Sequence, residues 1–515
     1  MTDSALPELS GIRDVSPWDP ERLAGLWPGR DALVDSESGA RLTYANLRDR
    51  AASLAAGLAR LGTKRGERVV AICGNGIHLV ELLFACSYLG AILVPLNWRL
   101  SARELGEQID DVEPRVIIVG PEYVEMTEGI AGEAIIVGLD PQSEPCFDDL
   151  FSAKPDRPPA DVRMDDPWLI LYTGGTTGTP KGAVLTHGSI TWNSINTGVS
   201  WGLSEADTGP VLTPGFHTGF WNVFLLPLLL LGGRVILGPR FDPGNVLRML
   251  EAERPTILFM VPTMFQMVAE DPAFDAADLS NLRWAISGGA PLPEPVYDRW
   301  KKKVRVFKQG YGLTEVGPNN FATPDSDAGR KPGTVGRLTY FARARIVDDS
   351  GDDVPDGSPG ELLLAGPHMC AGYWRRPEAT AAAIQDGWFH TGDIARRDAE
   401  DFYYIVDRKK DMILSGGENI YPIEVERVLY EHPVVREVAV VGLPDPTWGE
   451  SVAAVVSLHS GQKADEEELR AYTRDHIARY KVPKRFLFVD DLPKSGAGKI
   501  VRAEARALAI REFDQ

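Results

Sequence analysis

At 515 residues the chain exceeds what one hydrophobic core usually organises, so two or more domains are expected. Its 44% hydrophobic and 25% charged residues are those of an ordinary soluble globular protein. A formal charge of −19 without a long basic run argues against nucleic-acid binding, and any bound phosphate must be gripped by local lysines and glycines.

The N-terminal stretch "MTDSALPELSGIRD" is acidic and polar, unlike a secretory signal. Cys73, Cys86, Cys146 and Cys370 are scattered and form no Cys-x-x-Cys pair. That pattern argues against a disulfide framework or a zinc site and fits a cytoplasmic protein. From Leu42 to Val119 helix and strand patterns alternate: "TYANLRDRAASLAAGLARLG" has helical spacing and ends at Gly62, "ERVVAIC" is a strand, "GIHLVELLFACSYLG" a helix and "AILVPL" a strand. Such alternation implies a largely parallel sheet with helices on its faces. The theme returns after Asp166 with the strands "WLILY", "RVILG", "PTILFMV" and "RWAISGG". The apolar run 220–238 is broken by Asn222, Pro227, Gly232–Gly233 and Arg234, so it predicts a buried helix and a strand rather than a membrane span. Residues 331–406 carry Asp/Gly/Pro-rich turns between strands, the pattern of a small antiparallel element. The expected fold is α/β: a large N-terminal domain, 1–406, of stacked, mostly parallel sheets with helices and that antiparallel element, then a small mobile α+β domain, 407–515.

The stretch "TGGTTGTPKG", 173–182, has the composition of a phosphate loop. It is not a Walker A loop. The required second glycine would fall on Thr179 or on Pro180, which has no N–H, and Lys181 is followed by Gly182 rather than by a hydroxyl. Strand patterns flank it on both sides, with Ser189 read as the N-cap of the next helix. Phosphate would be held by glycine N–H groups, the hydroxyls of Thr173, Thr176, Thr177 and Thr179, and the Lys181 ammonium.

Thr-x-Gly-Thr-Thr-Gly-x-Pro-Lys-Gly resembles the phosphate loop of the acyl-adenylate-forming superfamily: acyl-CoA synthetases, 4-coumarate:CoA ligases, adenylation domains and beetle luciferases. "SGGAPL" (287–292), "QGYGLTE" (309–315), "HTGD" (390–393), "DRKKD" (407–411) and "PKSGAGK" (493–499) follow in that family's order. The resemblance implies activation of a carboxylate by ATP to an acyl-adenylate and pyrophosphate, then transfer to CoA with release of AMP. It assigns Thr173, Gly174, Gly175, Thr176, Thr177, Gly178 and Lys181 to the phosphates and Gly288, Gly289, Ala290 and Pro291 to the adenine side. Gln309, Gly310, Tyr311 and Gly312 join the nucleotide site, with Tyr311 stacking on adenine. Thr314 meets phosphate, Glu315 with Thr176 holds Mg²⁺, and Asp393 and Arg408 take the ribose. One departure is Gly174, where the family usually has a hydroxyl; its N–H remains, so function is expected to survive.

Attack of one anion on another needs cations and oriented donors more than a base. By the same resemblance Lys499 bridges the carboxylate and the α-phosphate, and the C-terminal domain then rotates about Lys410. Rotation would bring Ser415, Gly416 and Gly417 to the thiol, while Lys481 within "RYKVPKR" either steers CoA phosphates or belongs to a solvated face. His217 in "TPGFHTGFW" matches a histidine beside the carboxylate. The expected acid pocket comprises Phe216, Gly219, Phe220, Trp221, Val223 and Asn319, with Met260 and Thr263 nearby. No acidic residue follows Phe216, which disfavours an amino-acid substrate. Asn319 and Asn320 either face away or meet a polar group on the acid. A medium- or long-chain fatty acid is the first expectation, and an aryl or hydroxycinnamic acid the alternative. A luciferase-like oxygenase or a module serving a carrier protein shares the nucleotide motifs. Oligomeric state stays open, a homodimer being one option.

Overall fold

The computed structural model describes residues 16–152, 160–173, 180–415, 418–495 and 498–513. Strands β1 (Asp31–Asp35) and β2 (Arg41–Thr43) pair antiparallel, and Thr43 then caps the helix Tyr44–Arg60. The cap is reciprocal: the Asn46 N–H donates to the Thr43 hydroxyl, and the Asn46 side chain accepts from the Thr43 N–H. Next come β3 (Arg68–Ile72), β4 (Ile92–Pro95), β5 (Val116–Val119), β6 (Ile135–Gly138), β7 (Pro167–Thr173) and β8 (Lys181–Thr186). They form one sheet in the order β6-β5-β3-β4-β7-β8, parallel except at β7–β8. Wholly buried strands such as β5 read as unbroken apolar runs because helices cover both faces.

The Gly/Thr loop joins β7 to β8, which pair antiparallel with Thr173 opposite Lys181. Residues Gly174, Gly175, Thr176, Thr177, Gly178 and Thr179 lie outside the described residues. The helix after β8 is capped by Thr186 rather than Ser189. Ser189 sits at the third helical position and completes a capping box, so the helix starts one turn earlier than the pattern suggested.

A second sheet has the order β2-β1-β10-β9, with β9 (Thr208–Val211) and β10 (Arg234–Leu237). Between these two strands lies a π-helical stretch, Gly219–Leu225, continued by the helix Leu226–Leu231. Pro227 explains the irregularity: it has no N–H for the carbonyls of Val223 and Asn222, four and five residues earlier. Those carbonyls are taken by side-chain amides instead, Asn193 and Asn319 donating to Asn222 at 2.7 and 3.0 Å, and Asn319 also to Val223 at 3.3 Å.

Strands β11 (Ile257–Met260), β12 (Trp284–Gly288) and β13 (Phe307–Gly310) make a parallel three-stranded sheet. After the short pair β14 (Phe321–Ala322) and β15 (Arg337–Leu338) comes the expected antiparallel element. It holds β16 (Arg343–Val347), β17 (Gly360–Ala365), β18 (Ile384–Gln385), β19 (Trp388–Arg397) and β20 (Tyr403–Arg408). The chain then crosses a short turn, Lys409–Asp411, into another sheet. Its strands are β21 (Ile413–Ser415), β22 (Glu418–Ile420), β23 (Val435–Asp445), β24 (Gly449–Leu458) and β25 (Arg485–Phe488), with helices such as Pro422–Tyr430 and Arg502–Phe513 packed beside them. Arg502 binds Asp407, Asp411 and Glu426 at 2.9–3.3 Å, tying the crossing to the small domain. Among the described residues no helix is long and apolar enough to cross a membrane.

Burial holds His78, His217 and His368 down to about 4 and His187 to about 3. His187 stacks on Trp168 with centroids 4.4 Å apart. An unfolded histidine titrates near 6.5, so the unfolded chain binds the extra protons below that value. Stability is therefore expected to fall as pH drops from about 6.5 towards 4, by about 1.4 kcal/mol per pH unit for each histidine. Melting temperatures across that range should decline steeply; a flat profile contradicts the neutral, buried histidines.

Candidate active site

The C-terminal ends of β12 and β13 are neighbours, with Ser287 paired to Gln309 and Gly288 to Gly310. Crevices at the carboxyl ends of parallel strands are where open α/β sheets bind ligands. Glycine is required where the loops crowd: a Cβ on Gly312 would stand 2.3 Å from the Pro318 backbone, and Gly289 has φ +86°. Ala290 and Pro291 continue this loop at the surface.

Glu315 is buried at the base of the β7–β8 hairpin, on the "QGYGLTE" loop just after the half-buried Thr314. Its Oε1 accepts hydrogen bonds from the Thr173 hydroxyl and the Tyr373 phenol, both at 3.0 Å. Its backbone carbonyl accepts from the Cys370 N–H at 2.7 Å. The Lys181 ammonium lies 5.2 Å from the centre of the Tyr373 ring. Among the described residues no cluster of three or more His, Cys, Asp or Glu could hold a metal. A single carboxylate backed by hydroxyl donors fits Mg²⁺, which takes one or two carboxylates plus substrate phosphates. Tyr373 was not anticipated from the sequence, where it stands 58 residues beyond Glu315.

Asp393, on β19, is buried and accepts from the Tyr311 phenol at 2.5 Å. Arg408, its partner across to β20, approaches it to 3.5 Å. Burial raises the Asp393 carboxyl, Arg408 opposes that rise, and burial together with Asp393 pushes the Tyr311 phenol well up. Lys499 enters the same crevice from the small domain. Its Nζ and Cε lie 3.0 Å from where a Cβ on Gly289 would stand, and Gly498 abuts the Thr263 hydroxyl at the same distance from its own would-be Cβ. Burial lowers the Lys499 ammonium, Arg408 lowers it further and Asp393 pulls the other way. The lysine is thus near Asp393 and Arg408, although it is 106 positions from Asp393 in the chain. Lys410 is exposed on the turn between the sheets. Ser415 is half-buried on β21, while Gly416 and Gly417 lie outside the described residues. Lys481 pairs with Glu424, and Lys484 pairs with Asp445 at 3.3 Å while lying 5.4 Å from the centre of the exposed Trp448 ring.

On the acid side, His217 is neutral: burial takes it down to about 4, with Lys499 and Arg99 adding like charge. Its Nε2 is buried without a partner. Phe216 packs on His217 with centroids 4.6 Å apart. Gly219 is closely packed: the nearest atoms to a Cβ there would be Thr213 Oγ1 at 3.3 Å, Phe259 at 3.4 Å and Thr213 Cβ at 3.6 Å. The same Phe259 ring lies 3.3 Å from a Cβ on Gly288, and it is half-buried on the edge strand β11. Phe259 therefore faces Gly219 and Gly288. Met260, the residue expected at the acid pocket, points to the opposite face of β11 and is fully buried with Val246, Leu250 and Phe265. Phe220, Trp221 and Val223 lie in the main core. The Asn319 amide is spent on Thr197 and the π-helix carbonyls rather than on the pocket, and Asn320 bonds to Val316, Gly317 and His368.

A sequence model described as AMP-binding enzyme matches residues 21–374, and one described as AMP-binding enzyme C-terminal domain matches 424–499. The chain is 43% identical to a feruloyl-CoA synthase of Amycolatopsis sp over 488 residues, 94% of this chain and 98% of the relative. Among solved structures it is similar to ATP-bound MatB from Rhodopseudomonas palustris, with TM-score 0.88, 31% identity and coverage of 97% and 100%. It is also similar to the anthranilate CoA ligase AuaEII in complex with anthranoyl-AMP, with TM-score 0.91, 28% identity and full coverage of both chains. The chain belongs to the AMP-binding enzyme family, the acyl-adenylate-forming superfamily, and is an ATP-dependent, AMP-forming acid–CoA ligase.

Proposed function

We propose that the acid is an aryl or hydroxycinnamic acid, activated as its adenylate and passed to CoA. The observation that carries this reading is the 43% identity, over nearly both whole chains, to a protein named feruloyl-CoA synthase. The pocket agrees with it. Phe259 offers a flat wall beside Gly219 and Gly288 and rests on Phe224 at 6.3 Å, which packs on Trp284 at 5.6 Å. A planar ring can stack against such a wall. The fatty acid expected first from the sequence is therefore replaced by the alternative.

In this reading Lys499 draws the carboxylate and the α-phosphate together, Asp393 and Arg408 hold the ribose, and neutral His217 sits beside the carboxylate without adding charge. Mg²⁺ held by Glu315 would neutralise the phosphates. The passage from β20 to β21 at Lys409–Asp411 supports a hinge at Lys410 and a domain boundary just after Arg408, two residues beyond the 406/407 expected from the sequence. Rotation there would withdraw Lys499 and bring Ser415, Gly416 and Gly417 to the thiol. The exposed Trp448 beside Lys484 and the exposed Tyr480 beside Lys481 offer aromatic faces and positive charge suited to the nucleotide end of CoA.

A pyrophosphate-release assay with hydroxycinnamic, benzoic and C8–C16 fatty acids, with and without CoA, tests the reading. Hydroxycinnamic or benzoic acids should support the highest kcat/KM and yield the CoA thioester. Preference for a fatty acid would reverse the substrate reading, and adenylate formation without CoA transfer would favour a carrier-protein acceptor.

A further inference from the structure

Glu315 and Lys181 bear opposite charges, come from different parts of the chain and touch one common side chain. That side chain is Tyr373. Its phenol donates to Glu315 Oε1 at 3.0 Å, and the face of its ring lies 5.2 Å from the Lys181 Nζ. The two contacts use different parts of the residue, the hydroxyl for the anion and the π-face for the cation.

The backbone around Tyr373 is built to hold it still. Residues 371–374 run beside β8: the Ala371 N–H donates to Val184, the Val184 N–H to Gly372, and the Trp374 N–H to Gly182, at 2.7–2.9 Å. Tyr373 itself bridges to Ala183, and its N–H donates to the Thr380 hydroxyl at 2.9 Å. Gly372 has φ +122°, and a Cβ there would strike the Thr380 side chain at 2.5 Å. Upstream, the Cys370 N–H grips the Glu315 carbonyl at 2.7 Å, and His368 bonds to Asn320 at 2.8 Å. The segment thus straps the second strand of the phosphate hairpin to the loop that carries Glu315.

We propose that Tyr373 is a positioning residue for the phosphate and metal site, its hydroxyl orienting the Glu315 carboxylate and its ring face orienting the Lys181 ammonium. This rests on the reading that Glu315 serves Mg²⁺ and Lys181 serves the phosphates of ATP. With Oε1 fixed by Thr173 and Tyr373, the carboxylate can turn its other oxygen to the ion. The ring keeps the lysine extended along the mouth of the hairpin instead of folding onto Glu315.

Two variants separate the contacts. Tyr373→Phe removes only the hydroxyl; Tyr373→Leu removes the hydroxyl and the aromatic face. Calorimetry measures ATP binding with and without Mg²⁺, and pyrophosphate release is titrated against Mg²⁺. For Tyr373→Phe the Mg²⁺ midpoint should rise about tenfold, the worth of one hydrogen bond to a charged group, with metal-free ATP affinity unchanged. For Tyr373→Leu the metal-free ATP affinity should also weaken, by about threefold for one exposed cation–π contact. KM for the acid and CoA transfer from preformed acyl-adenylate should be unchanged in both. A Mg²⁺ midpoint for Tyr373→Phe within twofold of the wild type overturns the proposal, as does equal loss in the transfer half-reaction. Should Tyr373→Leu not fold, Tyr373→Phe decides alone. ADP released by the wild type would sink the underlying reading, whereas an unaltered Tyr373→Phe in an AMP-forming wild type sinks this inference only.

Discussion

Replacing Lys499 with alanine is expected to cut acid-dependent pyrophosphate release by about a hundred- to a thousandfold, the size of losing one oriented charge at a reacting centre. The ammonium reaches Gly289 at the carboxyl end of β12, in electrostatic contact with Asp393 and Arg408 and with the acid-side His217. Because rotation about Lys410 would withdraw the lysine before thiol attack, transfer to CoA from preformed acyl-adenylate should stay within about twofold of the wild type. Near-normal pyrophosphate release by Lys499→Ala would refute the role. Loss of both half-reactions would refute the withdrawal.

Gly219→Phe should lower kcat/KM for the preferred aryl acid by about tenfold to a hundredfold, as expected when a filled site is overpacked. A Cβ alone already comes within 3.3 Å of Thr213 Oγ1 and 3.4 Å of the Phe259 ring, so a phenyl group must displace the side chains around the proposed acid site. ATP binding measured by calorimetry should not change, since Glu315, Asp393 and Lys181 do not contact Gly219. Unchanged kcat/KM for the acid would move the substrate site elsewhere.

Much of this arrangement was legible because local patterns carried it. Two apolar runs around a Gly/Thr stretch implied strand–loop–strand, and β7 and β8 pair across it with Thr173 opposite Lys181. The β-α-β alternation from Leu42 onwards likewise implied the parallel sheet. What escaped depended on facing direction or on contacts distant in sequence. Met260 and Phe259 are adjacent apolar residues, and which one faces Gly219 and Gly288 follows from a period of two whose phase only the neighbouring sheet sets. Asn319 was expected at the pocket by resemblance to the coumarate ligases, with facing away as the alternative. Its amide is instead claimed by the carbonyls freed by Pro227, a need visible only once residues 219–231 are known to be helical. Tyr373 lies in a stretch with no obvious chemistry, and its link to Glu315 and Lys181 exists only after the strap folds along β8. The helix cap moved from Ser189 to Thr186 because the two hydroxyls share one capping box, whose leading member is the cap.

The most direct test is the identity of the nucleotide product. Purified protein incubated with ATP, Mg²⁺, CoA and ferulic acid should give AMP, pyrophosphate and feruloyl-CoA in equal amounts, with AMP formation dependent on the acid. Formation of ADP and phosphate without AMP would contradict the account.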